Sequence, residues 1–164
     1  MIAQMIATVG GIGYLRPAPG TWGSLAALPL TWALHQIGGF PLVLAAVLLI
    51  TVAGTWATMI VTRGQDNHDP SEVVIDEVAG QMIALAPLSY PAWNMGIDIT
   101  ALWPGWIAAF VLFRLFDIWK PGPVGKADQR GDAWGVMLDD LIAGLMAGVG
   151  VVVLAGLAHG VMGV

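Results

Sequence analysis

The chain has 164 residues, of which 57% are apolar and only 10% charged, whereas a soluble domain carries roughly 25% charged residues. Eleven acids against six bases give a formal charge of −5, which leaves no basic surface for nucleic acid. With no Cys, disulfides, a thiol nucleophile and a thiolate zinc site are excluded.

His35, His68 and His159 lie far apart in sequence, which disfavours a His-rich metal site. A mean hydropathy of +0.79 and eight Trp point to a small integral membrane protein folded as a single domain over 1–164. No basic residue precedes Arg16, so the N-terminus does not read as a cleaved signal peptide.

A membrane span needs about 20 mostly apolar residues, fewer where it is interrupted. In chain order, Ser24–Ile37 is a short candidate containing Pro29, and Pro41–Val61 is full-length and uncharged. Val78–Leu88 is apolar but short, and it follows Asp76-Glu77 directly. Pro104–Trp119 carries Arg114 and Asp117 near its end, and Leu141–His159 follows Asp139-Asp140. The expected fold class is all-α, a polytopic membrane bundle of about five helices, some short or interrupted.

All six bases, Arg16, Arg63, Arg114, Lys120, Lys126 and Arg130, lie outside Ile37–Pro41 and Ser89–Trp103. If the helices alternate in direction, every base falls on one side. The positive-inside rule makes that side cytoplasmic, with the N-terminus inside. The third and fifth helices then start at that face, each headed by a carboxylate pair. IDEVAGQM and LDDLIAGL form a faint internal echo.

Carboxylates at bilayer depth are costly and normally mark function. Capping of helix N-termini competes as an explanation for one acid per helix. It does not account for two doublets plus Asp117, which sits near a helix C-terminus. Asp76, Glu77, Asp117, Asp139 and Asp140 would repel one another unless a cation bridged them. Oxygen ligands without His or Cys select Mg²⁺, Mn²⁺ or Ca²⁺. Arg114 and Lys120 stand three residues either side of Asp117, a spacing that places all three on roughly one helix face. A local salt bridge and a snorkelling Lys would explain the pair blandly, but Arg also suits bidentate phosphate recognition and Lys adds a point charge. Pro121 ends that helix. The turn PAPGTWGS (17–24) delivers the Thr21 and Ser24 hydroxyls to a helix start, as an anion cradle or an ordinary cap. Gly80 and Gly144 read as close-packing positions between membrane helices. Together these features suggest metal-assisted phosphoryl chemistry on a lipid headgroup.

PAPGTWGS (17–24), HDP…VVIDEVAGQ (68–81), FRLFDIWKPGPV (113–124) and WGVMLDDLIAG (134–144) closely resemble the phosphatidylglycerophosphatase A family of bacteria. All four blocks stand in the family's order. The resemblance implies a multi-pass enzyme of the inner (cytoplasmic) membrane, with its active site facing the cytoplasm. It implies removal of the terminal phosphate of phosphatidylglycerophosphate, with Mg²⁺ as cofactor. It also places Asp76, Glu77, Arg114, Asp117, Lys120, Asp139 and Asp140 at motif positions. The catalytic candidates are thus Asp76, Glu77, Asp117, Asp139 and Asp140, with metal ligands drawn from Glu77, Asp117, Asp139 and Asp140. Thr21, Ser24, Arg114 and Lys120 are the phosphate-binding candidates. The chain departs from the family in lacking the Gly-Gly often found before the last block.

The expected mechanism is attack by water on the phosphoryl group, with a carboxylate as general base; a covalent aspartyl-phosphate is the alternative. A small cation transporter or channel is the competing reading from another class. It would place acids near the bilayer midplane and has no need of Arg114 and Lys120.

Overall fold

A computed structural model describes residues 1–65 and 69–162 of the chain. His68, the first residue of one motif block, lies outside them. The elements are α1 (Ile2–Ala7), α2 (Pro19–Val61), α3 (Ile75–Met95), α4 (Trp103–Trp119), α5 (Pro123–Asp128) and α6 (Ala133–Met162), with short 3₁₀ turns at Ile12–Tyr14 and Ile99–Leu102. No strand occurs among the described residues. Three segments, Pro19–Val61, Ile99–Trp119 and Ala133–Gly160, are long and apolar enough to cross a membrane.

α2 is two helices joined by a reversal. Its backbone is non-helical at Gly38 and Gly39, and Gly39 has φ 63° and ψ −159°, a conformation open to glycine alone. The contacts fix the path. Gly23 packs on Val74 and Gly39 packs on Trp93, while Gly54 returns to Ile75. Residues 19–37 therefore run along α3 to its far end, and residues 40–61 run back. Ser24–Ile37 and Pro41–Val61 thus appear as the two arms of a helical hairpin, and α3, α4 and α6 are the other long helices of the bundle.

α3 is the central element. Twelve of its 21 residues are buried, because α2, α4 and α6 surround it. It crosses α6 through small residues: a Cβ on Gly144 would lie 2.2 Å from the Gly80 carbonyl oxygen, and one on Gly80 would lie 2.5 Å from that of Asp140. Further along, Gly148 faces Ile83 and Pro87. The contacts advance together on both helices, so α3 and α6 run parallel, the direction expected of them. The close-packing role of Gly80 and Gly144 holds. In a membrane such seams replace the hydrophobic effect with backbone-close van der Waals packing.

The outer surface follows the same logic in reverse. Leu48, Leu49, Val52, Leu145, Val149 and Val152 are all well exposed, an arrangement suited to lipid and costly in water. Pro41 stands in the first turn after the Gly38-Gly39 reversal, where a missing N–H leaves nothing unpaired, while Pro29 in α2 and Pro87 and Pro91 in α3 lie inside helices, which membrane bundles tolerate. All six bases belong to segments at one end of this bundle, where Gly23, Gly54 and Val74 meet. The opposite end, around Gly39 and Trp93, has none.

Two boundaries differ from expectation. α6 starts at Ala133, well before Asp139-Asp140. Asp132 accepts the Gly135 amide at 2.7 Å through its side chain and the Val136 amide through its carbonyl, so Asp132 is the working cap. The doublet lies two turns inside the helix and heads nothing. α5, which crosses over the acidic end, occupies a stretch that reads as loop in sequence.

Candidate active site

The acidic end of the bundle is assembled by backbone proximity. The α3–α6 seam sets the first turn of α3 beside the second turn of α6. Asp76, Glu77 and Asp140 thereby each bring a carboxylate oxygen within 4.8 Å of the other two. Asp76 is 5% exposed and Asp140 3%. Capping does not account for the group: Asp76 accepts the Glu77 amide at 3.0 Å in the first turn of α3, but Asp140 sits in the interior of α6. Glu77 is half-buried between them. Three carboxylates at this separation repel strongly, and all their ligand atoms are hard oxygens. That donor set fits a hard divalent cation, and Glu77 Oε2 is buried with no hydrogen-bond partner among the described residues.

The helical arm 19–37 closes one side. A Cβ on Gly20 would lie 2.1 Å from Glu77 Oε1 and 3.1 Å from Arg114 Nη1, so glycine there is what lets the arm approach both. Ser24 is fully buried and donates to the Gly20 carbonyl at 2.8 Å. It accepts a long 3.5 Å bond from Arg114 Nη1. Ser24 thus joins the arm to Arg114, within a helix rather than at its start. Thr21 is half-buried one turn away and contributes no hydroxyl bond to the cluster among the contacts seen.

α4 and α5 supply the positive charges. Arg114 donates to Asp117 at 2.5 Å, and Asp117 stands close enough to Asp140 for the two charges to oppose one another. The Arg114 Nε is buried and unpartnered among the described residues. Lys120 does not continue the face of Arg114 and Asp117. The helix ends at Trp119, and Lys120 takes a left-handed conformation at φ 49° and ψ 53°, with Pro121 next. That turn swings its ammonium onto Asp139 at 2.8 Å and onto Asp128 of α5. Burial works against the Lys120 charge, but the hydrogen bonds and charges of Asp128 and Asp139 outweigh it and raise its pKa.

The nine expected residues therefore sort into groups. Asp76, Glu77 and Asp140 come together as a potential cation site. Asp117 and Asp139 are each paired to a base. Arg114, Ser24 and Lys120 line the same end, and Thr21 stands at its edge.

Three further residues belong to this end. Asp128 holds Lys120. Asp69 stands close enough to Lys120, Asp128 and Asp117 to feel their charges; it keeps an exposed surface, yet the protein packed around it desolvates its carboxyl and raises its pKa. Gln81 is fully buried one turn beyond Glu77. Asp69 and Gln81 fall inside the HDP and VVIDEVAGQ blocks, so the motifs contained the signal. Asp128 reads as an ordinary loop acid in sequence, and only the fold of α5 brings it to Lys120. His35 bonds Ser89 and His159 bonds the Ala155 carbonyl, both far from this end.

The family model for phosphatidylglycerophosphatase A matches residues 5–155. The chain is 35% identical to a phosphatidylglycerophosphatase A of Haemophilus influenzae over 88% of its own length and 83% of that protein's. It is 32% identical to the protein of that name in Escherichia coli, over 88% and 78% respectively. A putative phosphatidylinositol-3-phosphatase of Bacteroides thetaiotaomicron is 38% identical, over 86% of each chain. No solved structure matches.

Proposed function

The chain belongs to the phosphatidylglycerophosphatase A family, and from that premise we propose how its acidic end works. The protein is a phosphatase. Its substrate is phosphatidylglycerophosphate, and its products are phosphatidylglycerol and inorganic phosphate. The observation that carries this reading is the meeting of three carboxylates with Arg114, Ser24 and Lys120 at one end of an apolar bundle. A lipid phosphate reaches that end with its acyl chains still in the bilayer. The acids lie at a helix end and beside two bases, which suits a headgroup enzyme and gives nothing to a cation pathway.

Asp76, Glu77 and Asp140 would hold Mg²⁺, with Asp117 and Asp139 beside them. When bound, the ion polarises the phosphoryl group and lowers the pKa of a water. Arg114 binds the phosphoryl oxygens: Asp117 and Ser24 fix its Nη1, which leaves Nε to donate. Lys120, steadied by Asp128 and Asp139, neutralises charge on the other side. Water attacks phosphorus, a carboxylate takes its proton as general base, and the glycerol oxygen leaves with the bonding electron pair and is protonated. The basic end of the bundle faces the cytoplasm of a bacterial inner membrane, in keeping with the six-to-none distribution of bases.

Purified protein should release phosphate from phosphatidylglycerophosphate, lose that activity in EDTA and regain it with Mg²⁺. Phosphatidic acid, lysophosphatidic acid and phosphatidylinositol 3-phosphate should be turned over more slowly. Faster release from any of these would reassign the headgroup, and EDTA-resistant turnover would remove the metal.

A further inference from the structure

Gln81 is 0% exposed, and neither Oε1 nor Nε2 has a hydrogen-bond partner among the described residues. A buried amide left unbonded at both ends costs free energy that an apolar side chain of the same shape would not. Its position gives it a use. Gln81 follows Glu77 by four residues, so the two share one stripe of α3, and side chains on a helix lean toward its N-terminus. The Gln81 amide therefore leans toward the Glu77 carboxylate. Leu85 and Leu88 continue the stripe into a core with Ala109 and Phe113 of α4, and Gly80 itself touches Phe113, the neighbour of Arg114. Glu77 Oε2 and Arg114 Nε, which the approach of Gly20 sets near one another, are likewise buried and unpartnered among the described residues. One carboxylate oxygen and one amide oxygen are two acceptors; the amide and guanidinium nitrogens are two donors.

We propose that Gln81 positions the attacking water. Two acceptors, Glu77 Oε2 and Gln81 Oε1, hold the two hydrogens of one water, and its lone pairs then point away from both. The Gln81 Nε2 and Arg114 Nε groups donate to phosphoryl oxygens beside it. In the step itself a water lone pair forms the new P–O bond as the P–O bond to glycerol breaks. The water proton passes to a carboxylate of the cluster and on to the leaving oxygen, which has kept the electron pair. The role rests on the phosphatase reading above and deepens it, because it assigns the floor of the same site.

Gln81→Met keeps length and volume and removes both polar ends. With phosphatidylglycerophosphate and saturating Mg²⁺, kcat should fall by about 100-fold or more, with KM within about threefold of wild type. The thermal midpoint should stay or rise, since no internal hydrogen bond is lost. A kcat within about threefold of wild type, or a rise in KM at constant kcat, would overturn the assignment. So would a lower thermal midpoint, whatever the substrate, because it would make the amide structural. Wild-type turnover separates the two claims: wild-type protein inactive on this lipid refutes the headgroup reading, and active wild type beside an unimpaired variant refutes Gln81 alone.

Discussion

Gly144→Ala tests whether the helix seam places the carboxylates. The added methyl carbon would lie 2.2 Å from the Gly80 carbonyl oxygen, with the Gly80 carbonyl carbon at 2.8 Å and Cα at 3.0 Å. Ordinary contact begins at 3.4 Å, so the helices must part by about 1.2 Å, and the obstacle is backbone that cannot rotate away. Overpacking of this kind costs about 1–3 kcal/mol, and a misplacement of about 1 Å in a catalytic constellation can cost about 100-fold in rate. Asp76 lies one turn before Gly80 and Asp140 one turn before Gly144, so the displacement is delivered to the carboxylate group directly. The expected result is a lower thermal midpoint, a loss of turnover near 100-fold, and a higher Mg²⁺ requirement. Gly156 is the matched control: a Cβ there meets nothing within 4 Å, so Gly156→Ala should keep full activity and gain up to about 1 kcal/mol of helix stability. Phosphate release and thermal unfolding in detergent measure both. Wild-type turnover and Mg²⁺ dependence in Gly144→Ala would refute the claim that this crossing sets the site.

Asp→Asn at positions 76 and 140, or Glu77→Gln, should lower activity by orders of magnitude, and excess Mg²⁺ should partly restore any variant whose defect is weakened metal binding. A variant that stays inactive at every Mg²⁺ concentration marks the general base, and full activity in all of them would return the acids to a structural role. Arg114→Lys keeps the charge but loses the fork; KM should rise with the Mg²⁺ dependence unchanged, and an altered Mg²⁺ optimum would contradict the division of roles. Single cysteines at Lys126 and Asn94, both exposed in a Cys-free chain, should react with impermeant reagent from opposite sides of the membrane, with Lys126 on the inside. Reaction of both from outside would remove the orientation.

The long helices were legible because apolar length and charge exclusion are properties of sequence alone. Pro41–Val61 and Pro104–Trp119 match helices almost residue for residue, since Pro121 and the Gly38-Gly39 pair punctuate the chain where the backbone turns. The start of α6 was not legible from the doublet, because an acid pair before an apolar run looks like a cap whether or not another acid, here Asp132, performs that task seven residues earlier. Lys120 misled in the same way: an i, i+3, i+6 spacing describes one face only while the helix continues, and the left-handed residue ends it. The grouping of Asp76 with Glu77 and Asp140 depends on which faces of α3 and α6 touch. The echo of IDEVAGQM in LDDLIAGL aligns Glu77 with Asp140, but the contacts pair Gly80 with Gly144, which brings Asp76 opposite Asp140. One residue of register decides it, and only packing fixes register.

α3 has a consequence for how the protein enters its membrane. It carries Asp76, Glu77 and Gln81 within two turns and is absent from the segments apolar enough to cross on their own. Its two acids stand in its first turn and Gln81 in its second, polar groups that acyl chains cannot satisfy. Its effective solvent is the hairpin of α2 on one side and α4 and α6 on the others, rather than acyl chains. The 19–61 hairpin carries no Asp, Glu, Lys or Arg and is apolar enough to cross by itself, whereas two of the three walls that shelter α3, α4 and α6, follow it in the chain.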